Sequence, residues 1–341
     1  MMPFLLDFDI MSKFSAYSLK LIINSGSSGV EMFFVISGYL ITGSLLRHKN
    51  VSSFLMDRAI RIYPVFLSIH IPLFIILPFI GWKWLSGIDF SEWLLYFLSN
   101  ILFLPGIFEL KILQTNAWTL SYELLFYLLS CVIYACLRCR SGFISKLLLA
   151  LGVAFVLYVY PRGIYFLVGT VLYFTLRKDS ECGQSRFLNP DLLFLLVLVL
   201  LGPCRSSIGV VGNPIHSTDI MTKLAVIPLF FMFMGVVRSK GFLSLFLRTN
   251  IMQYFGKISY SLYLWHAVIL SIGNKIFVSI LLTKLGWSPG IALFVLVSLE
   301  IILTVIISHI SYKVFELRFA NWLKSKKSKL KLKRVSESAS I

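Results

Sequence analysis

Long apolar stretches alternate with short charged ones along this chain. Apolar runs fall at about 29–46, 62–80, 118–137, 146–160, 163–176, 191–204, 222–237, 260–282 and 290–310. A transmembrane helix needs about 20 such residues, with latitude for tilt or a thinned bilayer. The pattern therefore predicts an all-α, polytopic transmembrane helical bundle with about nine visible spans. Pro161–Gly163 separates two of the runs and predicts two helices joined by a tight turn. The stretch 92–105, EWLLYFLSNILFLP, is too short and too interrupted to cross, and predicts an interfacial or re-entrant helix. No internal repeat is evident.

Composition agrees. The chain is 58% hydrophobic, against about 45–50% in a soluble domain. Its formal net charge of +17 does not point to nucleic acid, because the basic residues lie in short loops between apolar spans. One set of loops holds Arg47, Lys49, Arg58 and Arg61, then Arg138, Arg140 and Lys146, then Arg177, Lys178 and Arg186, then Arg238, Lys240, Arg248 and Lys257. With the C-terminal segment, this set contains most of the 32 basic residues. The positive-inside rule places it in the cytoplasm. Nine spans then put the C-terminus inside and the N-terminus outside. The run KSKKSKLKLKR near the C-terminus either attracts anionic lipid, at about 1 kcal/mol per basic residue near the surface, or is a solvated tail that fixes orientation. Cys136 and Cys139 form a CxxC spacing, but with no second pair and no nearby histidine a metal site is not expected.

Three domains follow. Residues 1–28 form an external N-terminal segment, 29–316 the membrane domain, and 317–341 a basic cytoplasmic tail, disordered at its end. Residues 1–28 have no signal-peptide pattern, and a preceding helix that has been lost accounts for an external N-terminus.

Ionisable side chains inside apolar helices are costly, roughly 2.5–3.5 kcal/mol on insertion scales, and mark candidate chemistry. Glu31 opens GVEMFFVISGYLITGSLL. It either snorkels or caps the helix, or belongs to a site. Ser37 and Gly38 behind it are small enough to let helices approach closely. Glu123 lies in AWTLSYELLFYLL, about 7 Å beyond the interfacial Trp118 by helical rise. It either pairs with an arginine or orients an acceptor hydroxyl. His266, in ISYSLYLWHAVIL, is either a general base or a packing histidine hydrogen-bonded across the bundle. Arg58 and Arg61, in DRAIRIYP just before a span, share one helical face. They either form a guanidinium fork for phosphate or carboxylate or anchor the helix end. Pro64 is expected within the first turns of that helix. Glu316 is expected to pair with Arg318 at the interface.

GVEMFFVISGYLI (29–41), FLMDRAIRIYP (54–64), WTLSYELLFYLL (118–129), ISYSLYLWH (258–266) and the closing SYKVFE (311–316) together resemble the acyltransferase-3 family of integral-membrane O-acyltransferases. Its bacterial members acetylate O-antigen and other envelope or exported glycans. The resemblance implies ten transmembrane helices and no bound cofactor. It implies an acyl-CoA donor, most simply acetyl-CoA, entering from the cytoplasm of a bacterial inner membrane. The acceptor is a saccharide, lipid-linked or exported, reached from the other face. It also implies that Arg58 and Arg61 hold the donor, with Glu31, Glu123 and His266 as catalytic candidates. The family carries an arginine and a histidine on its first helix, and no residue here occupies the place of that histidine. A truncated, inactive remnant would account for this absence. A transporter or flippase would also use intramembrane Glu and His, but would be expected to show paired broken helices or inverted repeats.

Overall fold

The computed structural model describes residues 28–48, 50–79, 83–139, 142–178, 189–201, 223–276, 286–323 and 325–326. The first 27 residues and the end of the basic tail, where two of the expected segments lie, are outside this set. The described residues form α-helices, short 3-10 turns and one π-helical turn, and no strand. The all-α architecture expected from the apolar runs is thus observed. Among the described residues, four helices are long and apolar enough to cross a membrane, or six if each of two bent helix pairs is one span. The chain divides into two compact units, residues 1–51 with 122–253, and residues 52–121 with 254–341.

The first unit contains α1 (Gly29–His48) and most of α4 (Trp118–Arg138), whose first turn belongs to the second unit. It also holds α5 (Phe143–Val159) and α6 (Ile164–Lys178), and then α7 (Pro190–Leu201), α8 (Val226–Val237) and α9 (Gly241–Leu247). In α1, Glu31 lies in the first turn and Arg47 in the last, matching the helix dipole at both ends. Gly38 and Gly169 let α1 and α6 cross backbone to backbone. A methyl on Gly38 would run into the Phe166 carbonyl, and one on Gly169 into that of Val35. Thr42 Oγ1 lies 3.0 Å from Thr170 Oγ1 beside this crossing. Phe34, Phe126 and Phe166 fill the core, with ring centroids 4.6 Å (34–166) and 4.3 Å (126–166) apart. Close approach of small residues and dense aromatic packing supply attraction where lipid tails remove the hydrophobic driving force.

Pro161–Gly163 forms a 3-10 turn between α5 and α6, and the two helices bend by 117° there. Pro161 has no N–H to continue α5. The bend between α8 and α9, 60°, passes through Ser239 and Gly241, both at positive φ. Asp191 caps α9 by accepting from the N–H groups of Phe242 and Leu243, each at 2.8 Å.

The second unit contains α2 (Val51–Ile76), all but its first residue, together with α3 (Phe90–Ile101). It also holds most of α10 (Asn250–Ile276) and all of α11 (Pro289–Ser311), which continues into a π-helical turn at Tyr312–Phe319. Helix α2 begins eleven residues before the apolar run that announced it. Arg58 and Arg61 therefore lie inside the helix rather than before it, and Pro64 is buried in mid-helix, not in the first turns. The polar start VSSFLMDR is helical because Phe54 and Ile60 are buried against the unit, so packing rather than local hydropathy sets the boundary. Helix α10 likewise starts ten residues early. It is not among the four span candidates, because its first half is polar.

Candidate functional site

Arg162 is carried on the break between α5 and α6, where no helix constrains its direction. Its Nε lies 4.0 Å from Glu31 Oε1, and the side chains are 8% and 1% exposed. Tyr122, fully buried, stacks on Phe34 at 5.7 Å and meets the edge of Tyr160 at 5.6 Å. One turn along α4, Tyr127 donates to Glu123 Oε1, and Glu123 is 8% exposed. Residues four apart on a helix stack on one face, so the spacing alone creates this bond. The first unit thus buries two carboxylates, a guanidinium and the phenols of Tyr122 and Tyr127, with Tyr160 half-buried against Tyr122. Carboxylates accept, guanidinium donates, and phenols do either, so the cluster can orient a hydroxyl and exchange a proton with it.

The second unit holds the other candidates. Arg58 lies with its guanidinium carbon 5.3 Å from the Phe54 ring centroid, a cation–π contact across one turn. Arg61 is exposed. Glu316 sits in the π-helical turn and accepts at 2.6 Å from the Ser261 hydroxyl. Ser261 Oγ is also 3.2 Å from Ser311 Oγ. The sequence paired Glu316 with Arg318 instead. The wider π turn rotates position 316 toward α10, a displacement that α-helical spacing does not anticipate.

Both ring nitrogens of His266 are engaged. Nδ1 lies 3.0 Å from the Leu262 carbonyl, and Nε2 lies 3.0 Å from Asn116 Nδ2. A carbonyl only accepts and an amide nitrogen only donates. The proton is therefore on Nδ1, the lone pair on Nε2, and the imidazole is neutral, as assigned from its partners. Asn116 Nδ2 also donates to the Tyr263 carbonyl at 3.0 Å, and Tyr263 Oη lies 2.8 Å from Thr119 Oγ1. To act as a base, His266 would first have to release Asn116. The geometry is that of a histidine hydrogen-bonded across the bundle, the alternative named above.

Arg162 is the principal residue that the sequence reading passed over. It is the one charged residue between Lys146 and Arg177, a signal of the same kind as Glu31. Glu300, the one charged residue between Lys284 and Lys313, was also missed. It is 5% exposed, and its carboxyl packs against Gly273 of α10. Among the described residues no group of His, Cys, Asp and Glu is arranged to hold a metal ion.

A family model described as an acyltransferase domain, Acyl_transf_3, matches residues 2–309. "Nodulation protein 10" of Rhizobium leguminosarum bv. viciae is 29% identical over 113 residues, covering 29% of this chain and 31% of that protein. "Putative O-acetyltransferase SACOL0978" of Staphylococcus aureus (strain COL) is 23% identical over 351 residues, covering 87% of this chain and 53% of that protein. Its counterpart in strain MSSA476 gives the same values. The chain thus spans about half the length of these staphylococcal relatives. No solved structure matches it.

Proposed function

This chain belongs to the acyltransferase-3 family, and on that premise we propose that it transfers an acetyl group from acetyl-CoA to a hydroxyl of a cell-envelope or exported saccharide. That it is a membrane acyltransferase follows from the family and the apolar helices. The finer reading is carried by one observation above all, the burial in apolar helices of Glu31 beside Arg162 and of Glu123 beside Tyr127. Charges at such a cost are kept for chemistry or for a specific partner.

The acceptor oxygen attacks the thioester carbonyl, the C–S bond breaks, and the hydroxyl proton ends on the sulfur of coenzyme A. Glu123, held by Tyr127, orients the acceptor hydroxyl. Glu31, held by Arg162, orients the group that takes the proton. A positioned base typically contributes about 10²–10⁴-fold. In the second unit, Arg58 and Arg61 receive donor phosphates, since two guanidiniums on one helix face match phosphate oxygens. His266 acts as a positioning residue through Asn116. Coenzyme A is here a substrate and not a resident cofactor. The protein lies in the bacterial inner membrane with the donor site facing the cytoplasm, the orientation that the loop charges favour.

The test is to express the protein in its native membrane and measure incorporation of labelled acetyl from acetyl-CoA into envelope glycan. Incorporation that disappears in Glu123→Gln at unchanged protein level is the expected result. Labelling equal to that of membranes lacking the protein would overturn the reading.

A further inference from the structure

One side of α11 changes character at its midpoint. Ala292 and Leu296 are buried and apolar. Glu300, Thr304, Ser308 and Ser311 continue the same row at helical spacing, and all four are buried. Glu300 lies eleven residues from each end of the helix, Pro289 and Ser311, or about 16 Å by rise. Helix α11 belongs to one of the span candidates, so this carboxyl stands deep within the membrane. The row is apolar on one side of Glu300 and carries hydroxyls on the other.

Helix α10 runs antiparallel beside this row. Its Gly273 meets Glu300, where an added methyl would run into Oε1, and its Ser261 Oγ is 3.2 Å from Ser311 Oγ. Trp265 lies one turn on from Ser261, on the same side of α10. At the far end, Glu316 is half-buried and accepts from Ser261 at 2.6 Å. It lies between Lys313 and Arg318 in sequence, and both of these are exposed. Three buried polar atoms along the row have no hydrogen-bond partner: Glu300 Oε1, Ser308 Oγ and Trp265 Nε1. Glu300 is 5% exposed and Ser308 0%. Such groups are kept inside a helix pair only where something polar reaches them. Positions four apart along the row are separated by about 6 Å of rise, the length of two hydrogen bonds through one water. Among the described side chains, the other titratable groups of α10 and α11 are engaged elsewhere. Tyr254 meets His309, Tyr260 the Ile62 carbonyl, Tyr263 Thr119, and His266 Asn116, while Lys257 is exposed.

We propose that Glu300 is a proton-binding site inside the membrane, served by a one-sided lane of water along Thr304, Ser308, Ser311 and Ser261. The lane opens at the Glu316 end and is closed at the other by Leu296 and Ala292. The Glu300 carboxylate takes one proton from water at the open end, becomes a neutral acid that both donates and accepts, and returns the proton by the same route. A hydroxyl and a water relay a proton by exchanging donor and acceptor roles, which serine and threonine allow and the aliphatic residues beyond Glu300 do not. The site goes beyond the acyl-transfer reading and does not rest on it.

The test has two arms, both in the full-length protein freed of its native cysteines and reconstituted in sealed lipid vesicles. In the first, Ser308→Cys and Leu296→Cys are challenged with a small charged methanethiosulfonate added to one face at a time. Ser308→Cys should react from the face that carries Lys313 and Arg318, and Leu296→Cys from neither face. Thr304→Cys is a second reporter should Ser308→Cys fold poorly. Lane cysteines that are inert from both faces, or that react only from the opposite one, would overturn the lane. In the second arm, infrared difference spectra follow carboxyl groups as pH is stepped on the Lys313 face. A protonated-carboxyl band that comes and goes with pH, and is lost in Glu300→Gln, is the expected result. Identical difference spectra in the wild type and Glu300→Gln would overturn the proton site. So would a Glu300 signal that follows added sodium at constant pH and ignores pH itself, which would make the ligand a metal cation.

Discussion

Arg162 holds its Nε 4.0 Å from the Glu31 carboxylate, joining a helix break to the first turn of a distant helix inside the first unit. Neither side chain is more than 8% exposed, so each removes the other's cost of burial. Replacing Arg162 by Gln should destabilise the protein by about 3 kcal/mol, the low end for breaking a buried pair, because the contact is at the long edge of ion-pair range. Replacing Glu31 by Gln in the same molecule should recover part of that loss. A double-mutant cycle on thermal unfolding in detergent measures the coupling. Additive losses would show that the two side chains are independent.

Arg58 and Arg61 separate charge from geometry. Lys keeps the charge and loses the planar fork. Charge-assisted hydrogen bonds contribute about 1.5–3 kcal/mol each, so either Lys variant should raise the KM for acetyl-CoA by about ten- to hundredfold, with membrane insertion unchanged. Kinetics at saturating acceptor checks this. Unchanged turnover in both variants would leave the two arginines as helix anchors.

His266 and Asn116 make a directional pair, with the amide donating and the imidazole accepting. Asn116→Leu should leave Nε2 without its donor and cost about 1–3 kcal/mol. Asn116→Asp should add a proton at Nε2 while Nδ1 keeps its own, because the carboxylate and the Leu262 carbonyl both only accept. Nitrogen chemical shifts of labelled histidine read the tautomer. A spectrum identical in the wild type and Asn116→Asp would contradict the pairing.

Asp89 caps α3, accepting from Glu92 N–H at 2.8 Å and from the Ser91 hydroxyl at 3.0 Å. These bonds hold its carboxyl below the ordinary carboxylate value. A depressed folded-state pKa means that the cap's contribution is complete above the unfolded value, about 3.9, and is lost as pH falls through the folded value. Hydrogen exchange at the Glu92 amide should therefore gain protection with rising pH across this acid range in the wild type. In Asp89→Asn, whose cap carries no charge, protection should be flat across that range. Parallel profiles would remove Asp89 from the cap.

Much of this was legible in the chain, and the exceptions share a cause. The four longest spans follow from apolar length. Ser37–Gly38 anticipated close helix approach, and Pro161–Gly163 the helix break. The start of α2 was not legible, because VSSFLMDR is polar in sequence and becomes helical through the tertiary burial of Phe54 and Ile60. The partners of Glu31, His266 and Glu316 were hidden for a related reason. Asn116 and Ser261 are ordinary residues in sequence, Arg162 stands out there as a lone charge but without a partner named, and only the fold brings each within reach. The stretch 92–105 left interfacial and re-entrant helices open, because hydropathy does not record direction.

The most direct measurement of the central claim uses sealed vesicles carrying the protein and envelope glycan. Labelled acetyl-CoA is supplied on the face bearing the C-terminus, and acetyl esters on the glycan are counted. The account predicts glycan labelling that requires Glu123 and is strongly reduced by Arg61→Lys. Acetyl-CoA consumption without ester on the glycan, or equal labelling in Glu123→Gln, would contradict it.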